Sequence, residues 1–594
     1  MSNLDWIIIG IYFLFSLAIG VYYSKRAGRS TSDFFLSGRN LPWWIAGLSM
    51  VATTFAADTP LAVTELVSNS GIAGNWLWWN MAIGGMLTVF FFARLWRRAG
   101  ILTDVEFIEL RYSGKPAAFL RGFRAVYLGL FMNCIILGWV NVAMGTILKG
   151  MFGISDTQVI WYLALAMGIT AAYSALSGLW GVAVTDAFQF VIAMVGCIVL
   201  AVLVLNDPSV GGLAGLQEKL PASTFNIFPT IGTAGSIVQG TLGLSAGAFI
   251  AHIMIQWWAS WYPGAEPGGG GYVAQRMMSA KDERHSVFAV LFFQVAHYVI
   301  RPWPWILVAL ATLVLYPELG ADEKKLGYIL AMNDYLPTGL KGLLVAAFFA
   351  AYMSTVATHL NWGTSYLVHD FWRRFIQPHK PEKTYVVLSR LFTILLMLVS
   401  LFITTLIITI SGAWQFVIEC GAGLGLVLIA RWYWWRVNAW SEITATIVPI
   451  IIVAILYWIN GNAPPENRIV FPTTLFIIVP VTTASWLIVT FLTRPVETET
   501  LHAFFRKIRP GGRMWSSVAA QCPDITVDSG FTRLFIDWLV GIVFVYSLLV
   551  FTGALFFDSV EGMLLPLLIA CVSGFILVKH ISSMSWNSHA SPAE

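Results

Sequence analysis

Long apolar runs follow one another along the chain, separated by short polar segments. A membrane-spanning helix needs about 20 apolar residues, and we identify fifteen runs of this kind. Several are longer than one crossing requires, which predicts tilted or broken helices. The pattern therefore predicts an all-α integral membrane protein with about 15 transmembrane helices. Their approximate limits are 5–24, 42–67, 75–98, 122–150, 157–177, 182–206, 237–262, 285–316, 339–372, 386–411, 412–432, 442–460, 470–493, 532–557 and 562–580.

The composition agrees with a protein whose main solvent is lipid. Hydrophobic residues make up 58% of the 594 residues and charged residues only 11%, whereas a soluble domain is about half apolar and a quarter charged. No polar segment is long enough to form a soluble kinase or hydrolase domain. The five cysteines are scattered, which fits neither a disulfide framework nor a metal site.

The basic residues predict the orientation. If the N-terminus lies outside and the spans alternate, most of the 35 Lys and Arg residues fall in cytoplasmic segments, as the positive-inside rule requires. We therefore expect a multi-pass protein of the cell (plasma or inner) membrane with a cytoplasmic C-terminus. The longest cytoplasmic loop, about 494–531, is polar and basic.

The second span, LPWWIAGLSMVATTFAADTPLAVTEL, carries polar residues in its middle. Thr53 and Thr54 are followed by Asp58, Thr59 and Pro60. Proline removes a backbone donor and disfavours helix at the residue before it. This favours a discontinuous helix, whose ends face a cavity near the midplane. The alternative is a simple proline kink with Asp58 near the outer surface.

The ninth span places small and hydroxyl residues on one helix face. Ala351, Ser354, Thr355 and Thr358 are spaced at i, i+3, i+4 and i+7. With freed carbonyls opposite, two adjacent hydroxyls would form an all-oxygen cage for a hard monovalent cation. From the spacing alone, ordinary small-residue helix packing explains the pattern better.

The seventh span runs into a glycine-rich turn, YPGAEPGGGGYVAQR. Pro263 and the glycines end the helix, and the turn contains Glu266. No Gly-Lys-Ser/Thr follows, which argues against a phosphate-binding loop. The aromatic residues before the turn fit either a binding site or an interfacial belt; they are Trp257, Trp258, Trp261 and Tyr262.

The eighth span contains a charged residue. His297 and Arg301 lie one turn apart on the same face, and an arginine inside a span needs a partner or a polar cavity. Two interpretations remain open. Arg301 forms a structural ion pair with Glu266 or Asp58, or it binds an anionic part of a substrate.

Three separated motifs resemble the sodium:solute symporter family, which includes bacterial sodium–galactose, sodium–proline and sodium–sialic acid transporters. The motifs are DFFLSGRNLPWWIAGLSMVATTFAAD, YSALSGLWGVAVTDAFQF and MSTVATHLNWGTSYLVHDFW, and the resemblance covers roughly residues 5–495. It implies a leucine-transporter-type core of two inverted five-helix repeats, with broken first and sixth core helices. The corresponding divisions are 1–40 for an extra helix and basic loop, 41–206 and 207–432 for the repeats, and 433–594 for accessory helices.

The resemblance also implies a Na⁺ site. Its carbonyl ligands map to Ala52, Phe55 and Ala351, and its hydroxyl ligands map to Ser354 and Thr355. We therefore expect Na⁺ to be the coupling ion.

The family's aspartate on the ion path maps to Asp186, with Thr358 beside that path. Some members hold a second Na⁺ there with two further hydroxyls. Here one of those positions is Ala357, so the stoichiometry of one or two Na⁺ stays open.

The solute pocket departs from the sugar-transporting members. Thr59 replaces a glutamine, a position near Trp78 replaces a glutamate, and His297 replaces a lysine. Such a pocket suits a sugar, an organic acid or a zwitterion. The candidate solute-binding residues are Thr54, Asp58, Thr59, Trp78, Trp257, Trp258, Trp261, His297 and Arg301.

We expect Na⁺-coupled symport of a small organic solute by alternating access. The alternatives are a proton-coupled carrier that uses Asp58 or His297, and a membrane sensor that binds a solute without transport. The chain shows no paired metal ligands or nucleophile elbow, so we do not expect an enzyme. The expected partners are a small-molecule solute and the lipid bilayer, and not nucleic acid. The two C-terminal spans serve either as a scaffold or as a contact for a second copy in a homo-oligomer.

Overall fold

The computed structural model describes residues 1–232, 243–320, 323–407, 410–464, 467–525, 527, 530–584 and 586. Nearly all of them are helical, because the apolar runs satisfy their backbone polar groups internally. The helices are α1 (Asn3–Ala27), α2 (Thr31–Leu36), α3 (Trp43–Thr53), α4 (Asp58–Ser70), α5 (Trp76–Trp79), α6 (Ala82–Ala99), α7 (Phe107–Arg111), α8 (Gly114–Phe152), α9 (Asp156–Leu205), α10 (Gly212–Lys219), α11 (246–259), α12 (Gly271–Ser279), α13 (Glu283–Leu315), α14 (Leu326–Tyr335), α15 (Leu340–Ile376), α16 (Glu382–Thr404), α17 (Ile410–Cys420), α18 (Leu424–Tyr433), α19 (Ala439–Asn462), α20 (Thr473–Leu492), α21 (Thr498–Ile508), α22 (Ser516–Ala519), α23 (Phe531–Phe557) and α24 (Val560–Ser582).

The all-α membrane architecture is confirmed. The described residues contain ten helices that are long and apolar enough to cross a membrane, or up to twelve if each of two bent helix pairs is one span. The total of fifteen stays a prediction. One reason for the difference is α9, which joins the predicted spans 157–177 and 182–206 into 50 residues with a change of direction at Gly178 (φ 57°, ψ −160°). At about 1.5 Å per residue, α9 is longer than one crossing needs.

Two short parallel strands precede α11. They are β1 (Thr230–Gly232) and β2 (Gly243–Ser245), paired with Thr230 opposite Gly243. The predicted seventh span, 237–262, begins among residues 233–242, which lie outside the described residues.

The most buried span is α15, in which 94% of the apolar window lies inside the protein. It packs against α1, α9 and α16, while α3 packs against α9, α13 and α15. The helices predicted to form the two halves of the ion site therefore meet in the centre of the molecule.

The C-terminal helices α23 and α24 pack against each other, and α23 also contacts the first half of the chain. The Trp538 indole N–H donates to the Ile83 carbonyl oxygen (2.9 Å), and the Tyr546 hydroxyl donates to the Trp79 carbonyl oxygen (2.9 Å). These bonds hold α23 against α5 and α6.

On the side that the basic residues assign to the cytoplasm, ion pairs and hydrogen bonds of charged side chains connect loops with helices. Arg121 contacts Asp370 (2.7 Å) and Glu109 (2.6 Å). In the loop after α6, burial raises the pKa of Glu106, but the hydrogen bond with His369 and the charge of Arg121 outweigh it and lower this pKa to about 2. This carboxylate is therefore charged at neutral pH and contributes to the cohesion of the loop.

Candidate ion and solute site

The first helix break separates α3 from α4, whose axes differ by 62°. The Thr54 N–H still bonds to the Met50 carbonyl oxygen, but the Phe55 N–H turns to the Ala52 carbonyl oxygen (3.0 Å), and the helix ends. The predicted break is confirmed. It precedes Pro60, which lies in the first turn of α4, where a missing N–H costs nothing.

The second break separates α11, which ends at Ala259, from α12, which begins at Gly271. The Gly423 N–H reaches the Ala259 carbonyl oxygen (2.9 Å), and the Trp261 N–H reaches the Gly421 carbonyl oxygen (3.0 Å). Between them the chain needs glycine, since φ is positive at Gly264 (86°) and at further positions. The sequence prediction of a glycine-rich break is confirmed here.

The predicted Na⁺ ligands lie on two elements that contact each other. Ala52 lies in the last turn of α3 and Phe55 in the break that follows, and the others belong to α15; all are buried. The Thr355 hydroxyl donates to the Thr53 carbonyl oxygen (2.8 Å), and it also lies 3.3 Å from the Ala351 carbonyl oxygen. The structure therefore brings both halves of the predicted ligand set together at the first break.

Asp186 lies beside this position and is fully buried. Its carboxylate accepts from the Ser354 hydroxyl (2.7 Å) and from the Ser49 hydroxyl. Ser354 thus links the predicted Na⁺ ligands to the predicted ion path.

A buried arginine that the sequence analysis missed completes this network. The Arg276 guanidinium lies 3.6 Å from the Asp186 carboxylate and donates to the Thr358 hydroxyl (2.6 Å) and to Ser49 (3.1 Å). Both charged side chains are fully buried, so the pair neutralises itself inside the protein. No local signal in the sequence marks Arg276 as buried, because its partner Asp186 is distant along the chain.

A cavity of about 130 Å³ lies against the first break. Thr53 and Thr355 line it, so it borders the predicted ion site. Six of the predicted solute-binding residues also line it: Thr54, Asp58, Thr59, Trp78, His297 and Arg301. Tyr262, which the sequence analysis left open between a binding site and an interfacial belt, also lines it, and further lining residues that the sequence analysis missed are Trp139, Gln256, Tyr272, His359 and Trp414.

Arg301 is bound to neutral groups at the first break. It donates to the Thr54 hydroxyl (3.0 Å) and to the Val51 carbonyl oxygen (3.4 Å). Its guanidinium carbon lies 5.8 Å and 5.5 Å from the ring centroids of Trp78 and Trp305. Among the described residues, no carboxylate reaches the 4.0 Å ion-pair distance from it. Neither Glu266 nor Asp58 is therefore its direct salt-bridge partner.

His297 joins the same group. Its Nδ1 lies 2.9 Å from the Thr54 hydroxyl, and its ring meets the Trp78 ring edge-on at 5.5 Å between centroids. Thr54 consequently contacts both His297 and Arg301.

Three of the predicted aromatic residues do not line the cavity. The Trp257 indole donates to the Ile253 carbonyl oxygen and its ring packs on Trp538, while the Trp258 indole donates to the Met254 carbonyl oxygen. Trp261 is buried beside Gly421. Of the aromatic residues in this segment, Tyr262 lines the cavity instead, and it is the last one before Pro263.

The model of the sodium:solute symporter family matches residues 34–458. The chain belongs to the sodium:solute symporter family. This symporter is therefore a membrane transporter that couples a solute to Na⁺, and not an enzyme.

Similar proteins include several sodium-coupled transporters. The symporter is 23% identical over 507 residues to a sodium/glucose cotransporter of Vibrio parahaemolyticus, which covers 81% of this chain and 89% of the relative. It is 24% identical to a sodium/mannose cotransporter of Bos taurus, which covers 67% of this chain and 68% of the relative. A substrate-bound outward-open structure of a Na⁺-coupled sialic acid symporter has a TM-score of 0.65 at 19% identity, and the match covers 84% of this chain and 99% of that chain. The fold prediction is thereby confirmed.

Proposed function

We propose that this symporter carries a small polyhydroxylated solute, a sugar or sugar acid, together with one Na⁺ bound at the first break. The observation that carries the proposal is the cavity itself. It combines aromatic side chains with a carboxylate and a guanidinium, and it shares Thr355 with the predicted ion site.

The Na⁺ ligands in this proposal are three carbonyls and two hydroxyls. The contact between the Thr355 hydroxyl and the Thr53 carbonyl supports them, because it brings the carbonyl-rich end of α3 to the hydroxyl face of α15. A cation at this position would bridge α3 and α15 and favour one arrangement of the two repeats, as coupling requires. The ligands are Ala52, Phe55, Ala351, Ser354 and Thr355.

The network of Asp186 supports a single Na⁺ in this region. Its carboxylate is bound by Arg276, Ser49 and Ser354, and Thr358 is bound by Arg276. A guanidinium already supplies the positive charge that a second Na⁺ would bring. We assign Asp186 and Thr358 to the ion path and not to a resident second ion at that position.

The chemistry of the cavity favours a polyhydroxylated solute. Aromatic faces such as Trp78 and Trp139 stack on the apolar faces of sugar rings, while Asp58 accepts hydroxyl protons and Arg301 donates to hydroxyl or carboxylate oxygens. Relatives named for glucose and mannose support the same class. The solute-binding residues in this proposal are Thr54, Asp58, Thr59, Trp78, His297 and Arg301.

The orientation belongs to the same proposal. The distribution of basic residues supports an outer N-terminus and a cytoplasmic C-terminus in the plasma or inner membrane. Uptake then means movement from the outside to the cytoplasm.

The test measures thermal unfolding of the detergent-purified protein in NaCl and in KCl, with a panel of sugars, sugar acids and amino acids. We expect a Na⁺-specific rise in Tm and a further rise with one polyhydroxylated solute. Thr355→Val removes one ligand and should raise the half-maximal Na⁺ concentration about tenfold or more. Thr170→Val is the matched control, because Thr170 is also buried and donates to a backbone carbonyl within its helix (2.8 Å).

An unchanged Na⁺ response in Thr355→Val would refute the ion site. The solute could instead raise Tm without Na⁺, in a way that depends on pH and is lost in Asp58→Asn or His297→Gln. That result would show that the coupling ion is a proton and not Na⁺. If only amino acids raised Tm, the solute would be a zwitterion and not a sugar or sugar acid.

A further inference from the structure

A second, smaller cavity lies at the other helix break and has no part in the proposed function. It offers about 10 Å³, roughly the space of one water molecule or one small ion. Glu266 of the break lines it together with Gln294 of α13 and Thr88 of α6. Carboxylate, amide and hydroxyl groups therefore surround a single enclosed space.

Two oxygen atoms in this lining have no hydrogen-bond partner among the described residues. They are Oε1 of Glu266 and Oε1 of Gln294, and the two residues are only 3% and 2% exposed. The other carboxylate oxygen of Glu266 accepts from the Gly264 N–H (3.1 Å). A buried carboxylate without a counterion is costly, and within the described residues Glu266 forms no ion pair.

The glycine-rich segment makes room for this carboxylate. A Cβ added at Gly271 would lie 2.5 Å from Glu266 Oε1, and one added at Gly270 would lie 3.2 Å from the Glu266 Cβ. Gly85 likewise leaves space for the Gln294 amide, which a Cβ there would meet. Glycines from two separate elements thus permit the two unpartnered oxygens to line one cavity.

We propose that Glu266, Gln294 and Thr88 form a second Na⁺ site, in the break between α11 and α12. A Na⁺ ion there would be held by the free oxygens of Glu266 and Gln294, with the Thr88 hydroxyl oxygen completing the set. The hydroxyl already donates its proton to the Gly84 carbonyl oxygen (3.1 Å), so its lone pairs are available.

Charge separates Na⁺ from a water molecule in such a space, and the binding experiment below separates Na⁺ from a proton on Glu266. A water molecule would supply two donors but would leave the carboxylate charge uncompensated. A proton on Glu266 would neutralise the charge and turn one of the two unpartnered oxygens into a donor for the other, but it would leave Na⁺ binding unchanged in Gln294→Met. A Na⁺ ion compensates the charge and is attracted by both oxygens, and oxygen ligands are those that hard cations prefer.

The neighbouring charged groups do not replace the ion. Asp104, in the loop after α6, accepts from the Gly271 N–H (2.9 Å) and from the Tyr366 hydroxyl, so it adds negative charge beside the break. Arg276 of α12 is committed to Asp186 and Thr358. Arg431 of α18 contacts Glu442 (3.4 Å).

The test is equilibrium binding of radioactive ²²Na⁺ to the purified full-length protein in detergent, at pH 8 and without any solute. We expect about two Na⁺ per chain in the natural protein and about one in Glu266→Gln. Gln294→Met keeps the volume but removes the oxygen, and it should weaken one of the two sites about tenfold. Glu218→Gln is the control, because Glu218 is an exposed carboxylate; it should keep both ions.

The Thr355→Val variant separates this proposal from the proposed function. If the natural protein binds two ions and each variant loses a different one, both sites stand. If the natural protein binds a single ion that is lost in Thr355→Val and kept in Gln294→Met, the second site is refuted. This conclusion holds even if Glu266→Gln does not fold. A single ion that is lost in Glu266→Gln and Gln294→Met but kept in Thr355→Val supports the second site and refutes the first.

Discussion

The two helix breaks both interrupt a membrane helix, but different features stabilise them. The first, between α3 and α4, has four residues and no glycine, and side chains of neighbouring helices hold it: Thr355 from α15 and Arg301 from α13. The second, between α11 and α12, is much longer and rich in glycine, and backbone groups hold it: the Gly423 N–H donates to the Ala259 carbonyl oxygen, and the Gly421 carbonyl oxygen accepts from the Trp261 N–H. The short break is thus stabilised by side chains of neighbouring helices. The long break instead requires glycine, because its backbone leaves no room for side chains.

This difference predicts that substitutions at the two breaks affect different properties of the protein. Substitutions at the second break should disturb the fold, because any added atom meets the packed carboxylate or a strained backbone. Substitutions at the first break should disturb ligand binding more than the fold, because the surrounding side chains bind both the backbone and the cavity.

The largest effect is expected for Gly271→Ala. Gly271 has a φ of 54°, and a Cβ there would lie 2.5 Å from the Glu266 carboxylate. Strain and overpacking together should lower the free energy of unfolding by about 2 kcal/mol or more. Thermal unfolding in detergent measures this.

Gly168→Ala is the matched control for that variant. A Cβ at Gly168, in the first third of α9, has no neighbour within 4 Å, so alanine should leave stability unchanged or slightly raise it. Equal Tm values for the two variants would contradict the view that the second break requires glycine.

An intermediate effect is expected for Arg301→Gln at the first break. The substitution removes a charged donor from the cavity and from Thr54. Because hydrogen bonds to charged groups contribute about 1.5–3 kcal/mol, solute affinity should fall about tenfold or more, while the Na⁺-dependent rise in Tm stays. Isothermal titration with the solute found in the panel measures the loss.

Arg301→Lys should recover only part of that affinity, since a lysine supplies charge without the planar donor geometry. If Arg301→Gln abolished the Na⁺ response and left solute affinity unchanged, Arg301 would serve the ion site and not the solute cavity.

The smallest effect is expected for Pro60→Ala. Pro60 is the third residue of α4, where the N–H groups have no partner within the helix. Alanine should therefore keep the break and change stability by less than about 1 kcal/mol. A large loss of Na⁺ binding in Pro60→Ala would show that the proline, and not the contacts of Thr355 and Arg301, holds the first break.

The sequence predicted both breaks from proline and glycine, but at the first one Pro60 lies in the first turn of α4 and the break itself precedes it. It placed the ligands on α3 and α15 through the family motifs, and the structure brings those two helices together. It did not predict Arg276, because nothing local distinguishes a buried arginine near a helix end from a cytoplasmic one; its partner Asp186 is 90 residues away in sequence. The partners of Arg301 were missed for the same reason.

The aromatic residues show a second limit of sequence reasoning. Trp257, Trp258 and Tyr262 look equivalent in the sequence, yet only Tyr262 lines the cavity. Which residue does so depends on where α11 ends and on the direction that the chain then takes. A shift of one residue turns a helical side chain by about 100°, and no pattern in the glycine-rich segment specifies that direction.

The hydrogen bonds from α23 to α5 and α6 affect how the protein can be shortened or fused. The family match ends at residue 458, which would suggest that the last two helices are dispensable. Yet Tyr546 bonds to the backbone of Trp79, the residue next to Trp78 in the cavity lining. A chain cut before residue 531 would lose that brace on the wall of the solute cavity, whereas a reporter domain attached after α24 would leave it intact.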